Sequence, residues 1–328
     1  MQALWMIAGS LAFSLMGATI KLLASSSFGA FELVFWRGVV GIALMGAFLR
    51  WHRIPAASGR FGMHASRSVI GTFAMFCWFY TLGPLSMGTA FTLNYTSPIF
   101  IALAVAAMLW WRGDRHPSRR LLYFAMAASF AGVLMILRPS IGQGQEFAFA
   151  VGLLGAVLTA IAYLQVRALG RAGEPEWRTV FWFSVVNCAL GALAATASDG
   201  WSPVAASDLP ALLAIGILAA IGQLCMTRAF GRGRTLLAAN LQYSGVVFAT
   251  LLGWLLFGES HDLLELAGIA LIVASGIGAS LVPQPPVGTT AAAPAAVGSD
   301  KAAGAPADEA AALDAVAPPT PSASESPR

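Results

Sequence analysis

Residues 34–44 read VFWRGVVGIAL, and residues 180–190 read VFWFSVVNCAL. Seven of the eleven positions are identical, and the two stretches lie 146 residues apart. The same spacing pairs Asn94 with Asn240. Similarity that recurs at one fixed spacing is typical of a chain built from a repeated structural unit. The sequence therefore predicts two related halves.

The composition around these stretches is that of a membrane protein. Of the 328 residues, 58% are hydrophobic and only 10% are charged, whereas a soluble domain carries about 25% charged residues. A helix that crosses a bilayer needs roughly 20 mostly apolar residues. Ten runs have this character, and we number them spans 1 to 10: 3–23, 29–49, 67–85, 88–110, 121–138, 148–167, 179–197, 209–228, 235–257 and 263–282. They predict an all-α integral membrane protein with ten transmembrane helices, and they exclude a soluble enzyme or a nucleic-acid-binding protein.

The number of spans determines how the two halves are related. Residues 1–142 contain spans 1 to 5, and residues 143–282 contain spans 6 to 10. Because five is odd, the second half enters the membrane from the side opposite to the first, so the repeats are inverted. Inverted repeats are common in secondary transporters, where they expose a shared central site to either side in turn. Residues 283–328 hold 9 of the 17 prolines and have no apolar periodicity, which predicts a disordered cytoplasmic tail.

The basic residues collect at one end of the predicted bundle. Fourteen of the 19 lie at or between the ends of spans 2 and 3, 4 and 5, 6 and 7, and 8 and 9: Arg50, Arg53, Arg60, Arg67, Arg112, Arg115, Arg119, Arg120, Arg167, Arg171, Arg178, Arg228, Arg232 and Arg234. The opposite loops have only Lys21 and Arg138 at their edges. Loops rich in lysine and arginine stay in the cytoplasm, so both chain termini are predicted to be cytoplasmic. The net charge of +4 thus reflects topology and not nucleic-acid binding.

Several stretches resemble the drug/metabolite transporter superfamily, specifically its EamA-type ten-helix transporters. They are FELVFWRG (31–38), TAFTLNYTSPIFIAL (89–103), LLAANLQYSGVVFATLLGWLLFGES (236–260) and LAGIALIVASGIG (266–278). The resemblance extends from residue 1 to about residue 282 and implies a fold of two five-helix repeats. It also implies transport of a small organic solute across the inner membrane, often the export of an amino acid or a related metabolite.

Arg37 is the charged residue most deeply placed in a span, eight residues after the start of span 2. An arginine at the bilayer centre costs about 2.5–3.5 kcal/mol on insertion scales, so it should face the bundle interior or a wet cavity. We predict that Arg37 holds a substrate carboxylate or phosphate. The alternative is a structural arginine bonded to backbone carbonyls. Glu32 is a possible proton-coupling site, with a solvated residue near the helix start as the alternative.

Spans 4 and 9 carry polar residues at matching places within apolar sequence. Pro98 cannot donate a hydrogen bond to the carbonyl of Asn94, which predicts a kink in span 4. Interrupted helices at corresponding places in two repeats indicate a binding site, although polar residues also join membrane helices to one another. The predicted binding residues of these segments are Asn94, Tyr95, Ser97, Pro98, Asn240, Gln242 and Tyr243. Trp78, in the aromatic part of span 3, is a further candidate for the cavity wall, with a position facing lipid as the alternative.

The sequence contains no nucleotide-binding loop, zinc-ligand pair or nucleophile motif, so we expect no cofactor, no metal site and no enzyme activity. We expect the four histidines (His52, His64, His116 and His261) to lie in loops. The prediction is a secondary active transporter, an exporter or exchanger of a small organic metabolite by alternating access. Its partners would be the solute and the lipid bilayer, with the oligomeric state left open. Uptake of S-adenosylmethionine, a purine or riboflavin stays open, as do a channel and a membrane enzyme acting on a lipid-linked substrate.

Overall fold

The structure is a computed structural model that describes residues 2–23, 28–85, 87–111, 113, 118–140, 142–198, 200–258, 260 and 262–282. The predicted tail, residues 283–328, lies outside the described residues. After a short 3₁₀ turn at Gln2–Leu4, the regular elements of the described part are α-helices. They are α1 (Trp5–Leu22), α2 (Ala30–Trp51), α3 (Phe61–Thr81), α4 (Met87–Asn94), α5 (Ser97–Trp111), α6 (Ser118–Leu137), α7 (Glu146–Arg171), α8 (Glu176–Ala197), α9 (Leu209–Arg232), α10 (Thr235–Leu241), α11 (Ser244–Phe257) and α12 (Leu263–Leu281).

These helices form the ten predicted spans, so the predicted fold class is confirmed. Spans 4 and 9 each consist of two helices, α4 with α5 and α10 with α11. In the part of the chain that the structure describes, nine spans are long and apolar enough to cross a membrane. The tenth, α3, has 21 residues but carries charged and polar side chains in its first two turns. Such side chains need partners inside the bundle, because lipid supplies none.

The start of span 3 is the largest error in the predicted boundaries. The helix begins at Phe61 instead of residue 67 and ends at Thr81 instead of residue 85. The prediction that His64 lies in a loop is therefore wrong, and so is the placement of Arg67 among the loop cations. Both side chains are inside the bundle, with 0% and 2% of their surface exposed. Of the other histidines, His52 follows α2 as an exposed C-cap residue, while His116 and His261 lie outside the described residues.

The helix contacts follow a pseudo-twofold pattern. α2 packs on α8, its counterpart in the other repeat, and α6 packs on its counterpart α12. α1 packs on α9, and the equivalent pair, α7 on α3, is also in contact. Exchanging the two halves leaves the α2–α8 and α6–α12 contacts as they are and turns the α1–α9 contact into the α7–α3 contact. This is the packing expected of two related five-helix units.

Glycines permit the closest of these helix contacts. A Cβ at Gly38 of α2 would lie 2.6 Å from the backbone nitrogen of Cys188 on α8. On the same interface, a Cβ at Gly191 would lie 2.8 Å from the backbone nitrogen of Phe35. Small residues that let helix backbones approach are a main source of packing energy between helices in lipid. The α2–α8 contact therefore depends on the absence of a side chain at these two positions.

We expect Gly38→Ala to destabilise the protein by about 1–3 kcal/mol, because the backbone of Cys188 cannot move aside as a flexible side chain could. Gly17→Ala in α1 is the matched control, since a Cβ there meets no atom within 4 Å among the described residues. Thermal unfolding of purified protein in detergent, followed by tryptophan fluorescence, measures both. Equal melting temperatures for the two variants would contradict the close α2–α8 contact.

Candidate functional site

A small cavity lies between α2, α8 and α9, so it is lined from both halves of the chain. Its polar lining comes from Arg37, Ser184, Asn187 and Gln223. The remaining lining residues are Gly41, Val180, Phe183, Ala219 and Ala220. The cavity adjoins the α2–α8 contact, where the two repeats meet.

Arg37 reaches this cavity from α2. Its Nη1 donates to the sulfur of Met75 at 3.1 Å, and its guanidinium carbon lies 5.9 Å from the ring centroid of Phe183. Phe183 is the residue that occupies the position of Arg37 in the second repeat, so the two counterparts face each other. A thioether is a weak acceptor, which leaves most of the hydrogen-bonding capacity of the guanidinium unused.

A second arginine, which sequence reasoning missed, lies beside the first. The guanidinium carbon of Arg67 on α3 is 3.8 Å from the same Phe183 ring centroid. Its Nη2 donates to Oε1 of Gln223 at 3.3 Å, while Nε and Nη1 are buried without a partner in the described residues. A Cβ at Gly71, one turn further along α3, would lie 3.0 Å from Nη1 of Arg67, so this glycine makes room for the guanidinium.

The sequence did contain a signal for this second arginine. The stretch FGMHASR, residues 61–67, has no proline and can extend the helix towards the N-terminus. Its low hydropathy concealed that possibility. We call Arg37, Arg67, Phe183, Asn187 and Gln223 the arginine cluster.

Polar groups around the arginine cluster carry no negative charge. Oδ1 of Asn187 accepts a hydrogen bond of 2.8 Å from Thr72 of α3. Within the described ranges no aspartate or glutamate forms an ion pair with Arg37 or Arg67. The cluster is therefore a cationic site in which Arg67 is buried and Arg37 is half-buried.

Both predicted interruptions are present in the backbone. α4 ends at Asn94 and α5 begins at Ser97, and α10 ends at Leu241 and α11 begins at Ser244. In each, a 3₁₀-type bond closes the turn: Ile99 N to Thr96 O at 2.9 Å, and Val246 N to Tyr243 O at 3.0 Å. The turns lie 147 residues apart, one more than the spacing that pairs Asn94 with Asn240.

The two interruptions contact each other across the repeat boundary. Nε2 of Gln242 donates to Oγ of Ser97 at 3.5 Å, and the rings of Tyr95 and Tyr243 are 6.4 Å apart. Asn240 accepts a hydrogen bond of 2.8 Å from Ser129 of α6. We call Tyr95, Ser97, Asn240, Gln242 and Tyr243 the interruption cluster.

Several polar atoms of the interruption cluster are buried without a partner in the described residues: Nδ2 of Asn240, Oε1 of Gln242 and the hydroxyl of Tyr243. Pro98 is buried next to the cluster and Asn94 is half-buried. None of these residues lines the cavity beside Arg37.

The last two predicted site residues lie elsewhere. Trp78 packs against Phe79 and Phe91, with ring centroids 5.0 and 5.3 Å away, and is not part of the cavity lining. Glu32 is 1% exposed, so the alternative of a solvated residue is wrong. Its carboxylate accepts hydrogen bonds from the backbone N–H groups of Gly29 at 3.3 Å and Ser202 at 3.0 Å. Glu32 thus caps the start of α2 and ties the loop before α9 to it.

A polar network closes the end of the bundle that carries the basic loops. The carboxylate of Glu174, between α7 and α8, accepts from Ser58 at 2.6 Å and Arg178 at 2.8 Å, and lies 3.0 Å from Nε2 of His64. Burial raises the pKa of Glu174, but these hydrogen bonds outweigh it and lower the pKa to about 2. The network joins the α2–α3 loop and the start of α3 to the α7–α8 loop.

Because the folded-state pKa of Glu174 is depressed, its stabilising effect is complete above its ordinary pKa of 4.5 and is lost as the pH falls towards about 2. Glu174→Gln should lower the melting temperature at neutral pH, and its difference from wild type should shrink from about pH 5 to about pH 3. Glu146→Gln, at an exposed carboxylate that starts α7, is the control and should change little. A pH-independent effect of Glu174→Gln would refute the ionised network.

Comparison with known proteins agrees with this architecture. Residues 1–138 and 147–281 each match the EamA-like transporter family. Pseudopaline exporter CntI of Pseudomonas aeruginosa is 33% identical over 274 residues, which cover 84% of this chain and 94% of that protein. An uncharacterized transporter of Helicobacter pylori is 25% identical over 276 residues, or 82% of this chain and 90% of that protein.

The fold also occurs in a solved structure. A protein crystal structure of 21% sequence identity superposes with a TM-score of 0.71, covering 85% of this chain and 96% of that chain. At this identity the similarity concerns the fold alone.

Proposed function

The chain belongs to the EamA-like transporter family, and we propose that it is a secondary carrier that exports or exchanges a small organic metabolite across the inner membrane. Membership makes it a multi-pass membrane transporter and not an enzyme, so the alternative of a membrane enzyme acting on a lipid-linked substrate is set aside. The finer proposal concerns the direction, the substrate class and the mechanism.

One observation carries the proposal: a buried polar cavity is lined from both repeats beside the contact that relates them. In a pseudo-symmetric carrier, exchanging the conformations of the two halves opens a shared site first to one side and then to the other. Arg37 and Gln223 belong to different halves yet border the same space. This arrangement favours alternating access over a continuous pore.

Polar contacts at the two ends of the bundle are the groups that must separate during such a cycle. At the basic end these are the contacts of Glu174 with Ser58 and His64. At the opposite end the carboxylate of Glu32 accepts a hydrogen bond from the backbone N–H of Ser202 in the other half. We assign the basic end to the cytoplasm, with both termini on that side.

Export is favoured by the relative from Pseudomonas aeruginosa, whose name describes it as an exporter. The predicted substrate contacts are Arg37 and, in the interruption cluster, the unpartnered polar atoms of Asn240, Gln242 and Tyr243. Asn94, Pro98 and Trp78 would act through the shape of the surrounding helices. Because the carboxylate of Glu32 accepts hydrogen bonds from backbone N–H groups, we favour a role in holding the loop before α9 to the start of α2 over a role in proton coupling.

Solute counterflow in proteoliposomes tests the proposal. Vesicles are loaded with unlabelled amino acids, carboxylic acids, purines, riboflavin or S-adenosylmethionine, and labelled tracer is added outside. We expect saturable tracer accumulation in wild type for one class. Flux without saturation or counterflow would indicate a channel, and accumulation of riboflavin, a purine or S-adenosylmethionine would support the corresponding uptake carriers.

In the same assay Arg37→Gln should reduce counterflow about 10- to 150-fold, the equivalent of about 1.5–3 kcal/mol for a hydrogen bond to a charged group. Arg50→Gln, at the exposed end of the same helix, is the control and should transport normally. Full activity of Arg37→Gln in a well-folded protein would refute a substrate contact at this position.

A further inference from the structure

The arginine cluster holds two positive charges that the protein does not neutralise. Arg67 is 2% exposed, and two of its nitrogens lack a partner in the described residues. Arg37 is inside the bundle with a thioether sulfur as its hydrogen-bond partner. The two guanidinium groups also repel each other, since each lies near the same Phe183 ring. Buried charges are strongly unfavourable unless they are paired, so the ligand-free cluster is a destabilising feature of the fold.

Several features identify the cluster as a ligand site and not a structural ion pair. The amide oxygen of Gln223 accepts from Arg67, which turns the NH₂ group of Gln223 towards other partners. Oxyanions are the ligands that guanidinium and amide donors share, and arginine binds carboxylate or phosphate in a bidentate manner. The ring of Phe183 supplies an apolar wall beside both cations.

The balance of charge then restricts the ligand. Two unpaired cations in a medium of low polarity are neutralised by two negative charges, whereas a monoanion would leave one of them unpaired. A small metabolite with two anionic charges on oxygen atoms satisfies this condition.

We propose that Arg37 and Arg67, which both lie beside the ring of Phe183, bind a small organic dianion, in which two carboxylates or one phosphate monoester carry the charge. This inference rests on the proposed function, because the dianion would be the transported solute. Arg67 would be the second contact of the site, bridging α3 to the cavity through Gln223.

Thermal unfolding of the purified full-length protein in detergent tests binding without requiring transport. The probes are succinate for a dicarboxylate, glycerol 3-phosphate for a phosphate monoester, and acetate and chloride as monoanions, all at equal ionic strength. We expect succinate or glycerol 3-phosphate to raise the melting temperature by about 2–4 °C or more, and acetate and chloride to leave it nearly unchanged. The probe that stabilises identifies the class of dianion.

Arg67→Met separates a ligand contact from a structural arginine, because it keeps an unbranched stem and removes the charge. A ligand contact predicts that the variant without added anion melts at the same temperature as wild type or higher, and that the stabilisation by the dianion is lost. Arg67→Lys, which keeps the charge but not the fork of donors, should retain part of the stabilisation with at least tenfold weaker apparent affinity. Arg50→Met is the control and should behave as wild type.

Each outcome bears on the proposal. Equal stabilisation by acetate and succinate, no stabilisation by either dianion, or an unchanged dianion response in Arg67→Met would overturn it. A lower melting temperature of anion-free Arg67→Met would show that Arg67 is structural and would also overturn it.

Counterflow with the same probes tests the carrier function separately from the dianion site. Binding of a dianion without counterflow would sustain the site and refute the carrier. Counterflow of a neutral solute that is unaffected in Arg67→Met would sustain the carrier and refute the dianion site.

Discussion

The close contact between α2 and α8 is the constraint on which the rest of the structure depends. Because Gly38 and Gly191 bring the two helix backbones together, the position of Arg37 in one repeat faces its counterpart Phe183 in the other. The cavity lies beside this contact, so the spacing of the helices decides how near a ligand comes to Arg37. A bulkier residue at Gly38 would alter stability and site geometry together, since both arise from one interface.

The unpaired charges of the arginine cluster destabilise the folded state, so packing elsewhere in the bundle must offset that free energy. Small-residue contacts between α2 and α8 and between α6 and α12 bring backbone atoms near the limit of van der Waals approach. Such packing is a main source of stability between helices in lipid, because the hydrophobic effect does not drive their association there. This packing can offset the cost of two guanidinium groups that have no acidic partner among the described residues, at the place where a solute would use them.

Features that repeat along the chain could be predicted from the sequence. The ten spans, the halves related by a spacing of 146 residues and the interruptions near Pro98 and Tyr243 all follow from hydropathy, self-similarity and helix-breaking residues. Arg67, His64 and Glu32 could not be placed, because each is a polar residue near a span end whose burial depends on partners distant in sequence. Glu174 lies 110 residues from His64, and Gln223 lies 156 residues from Arg67. Average hydropathy carries no information about such pairs.

The symmetry of the fold and the asymmetry of the site have different causes. Equivalent helices pack together in the two halves, so the fold is nearly symmetric. The side chains are not: at the spacing of 146 residues, Phe183 takes the place of Arg37 and Leu213 takes the place of Arg67. Positive charge is thus contributed by α2 and α3 of the first repeat, while the second repeat contributes the ring and the amides of Phe183, Asn187 and Gln223. An inverted repeat needs similar backbones to reach two related conformations, but a solute without twofold symmetry needs different groups on its two sides. Different cavity-facing side chains on a similar arrangement of helices meet both demands, because the helix pairs that support alternating access are present in both halves.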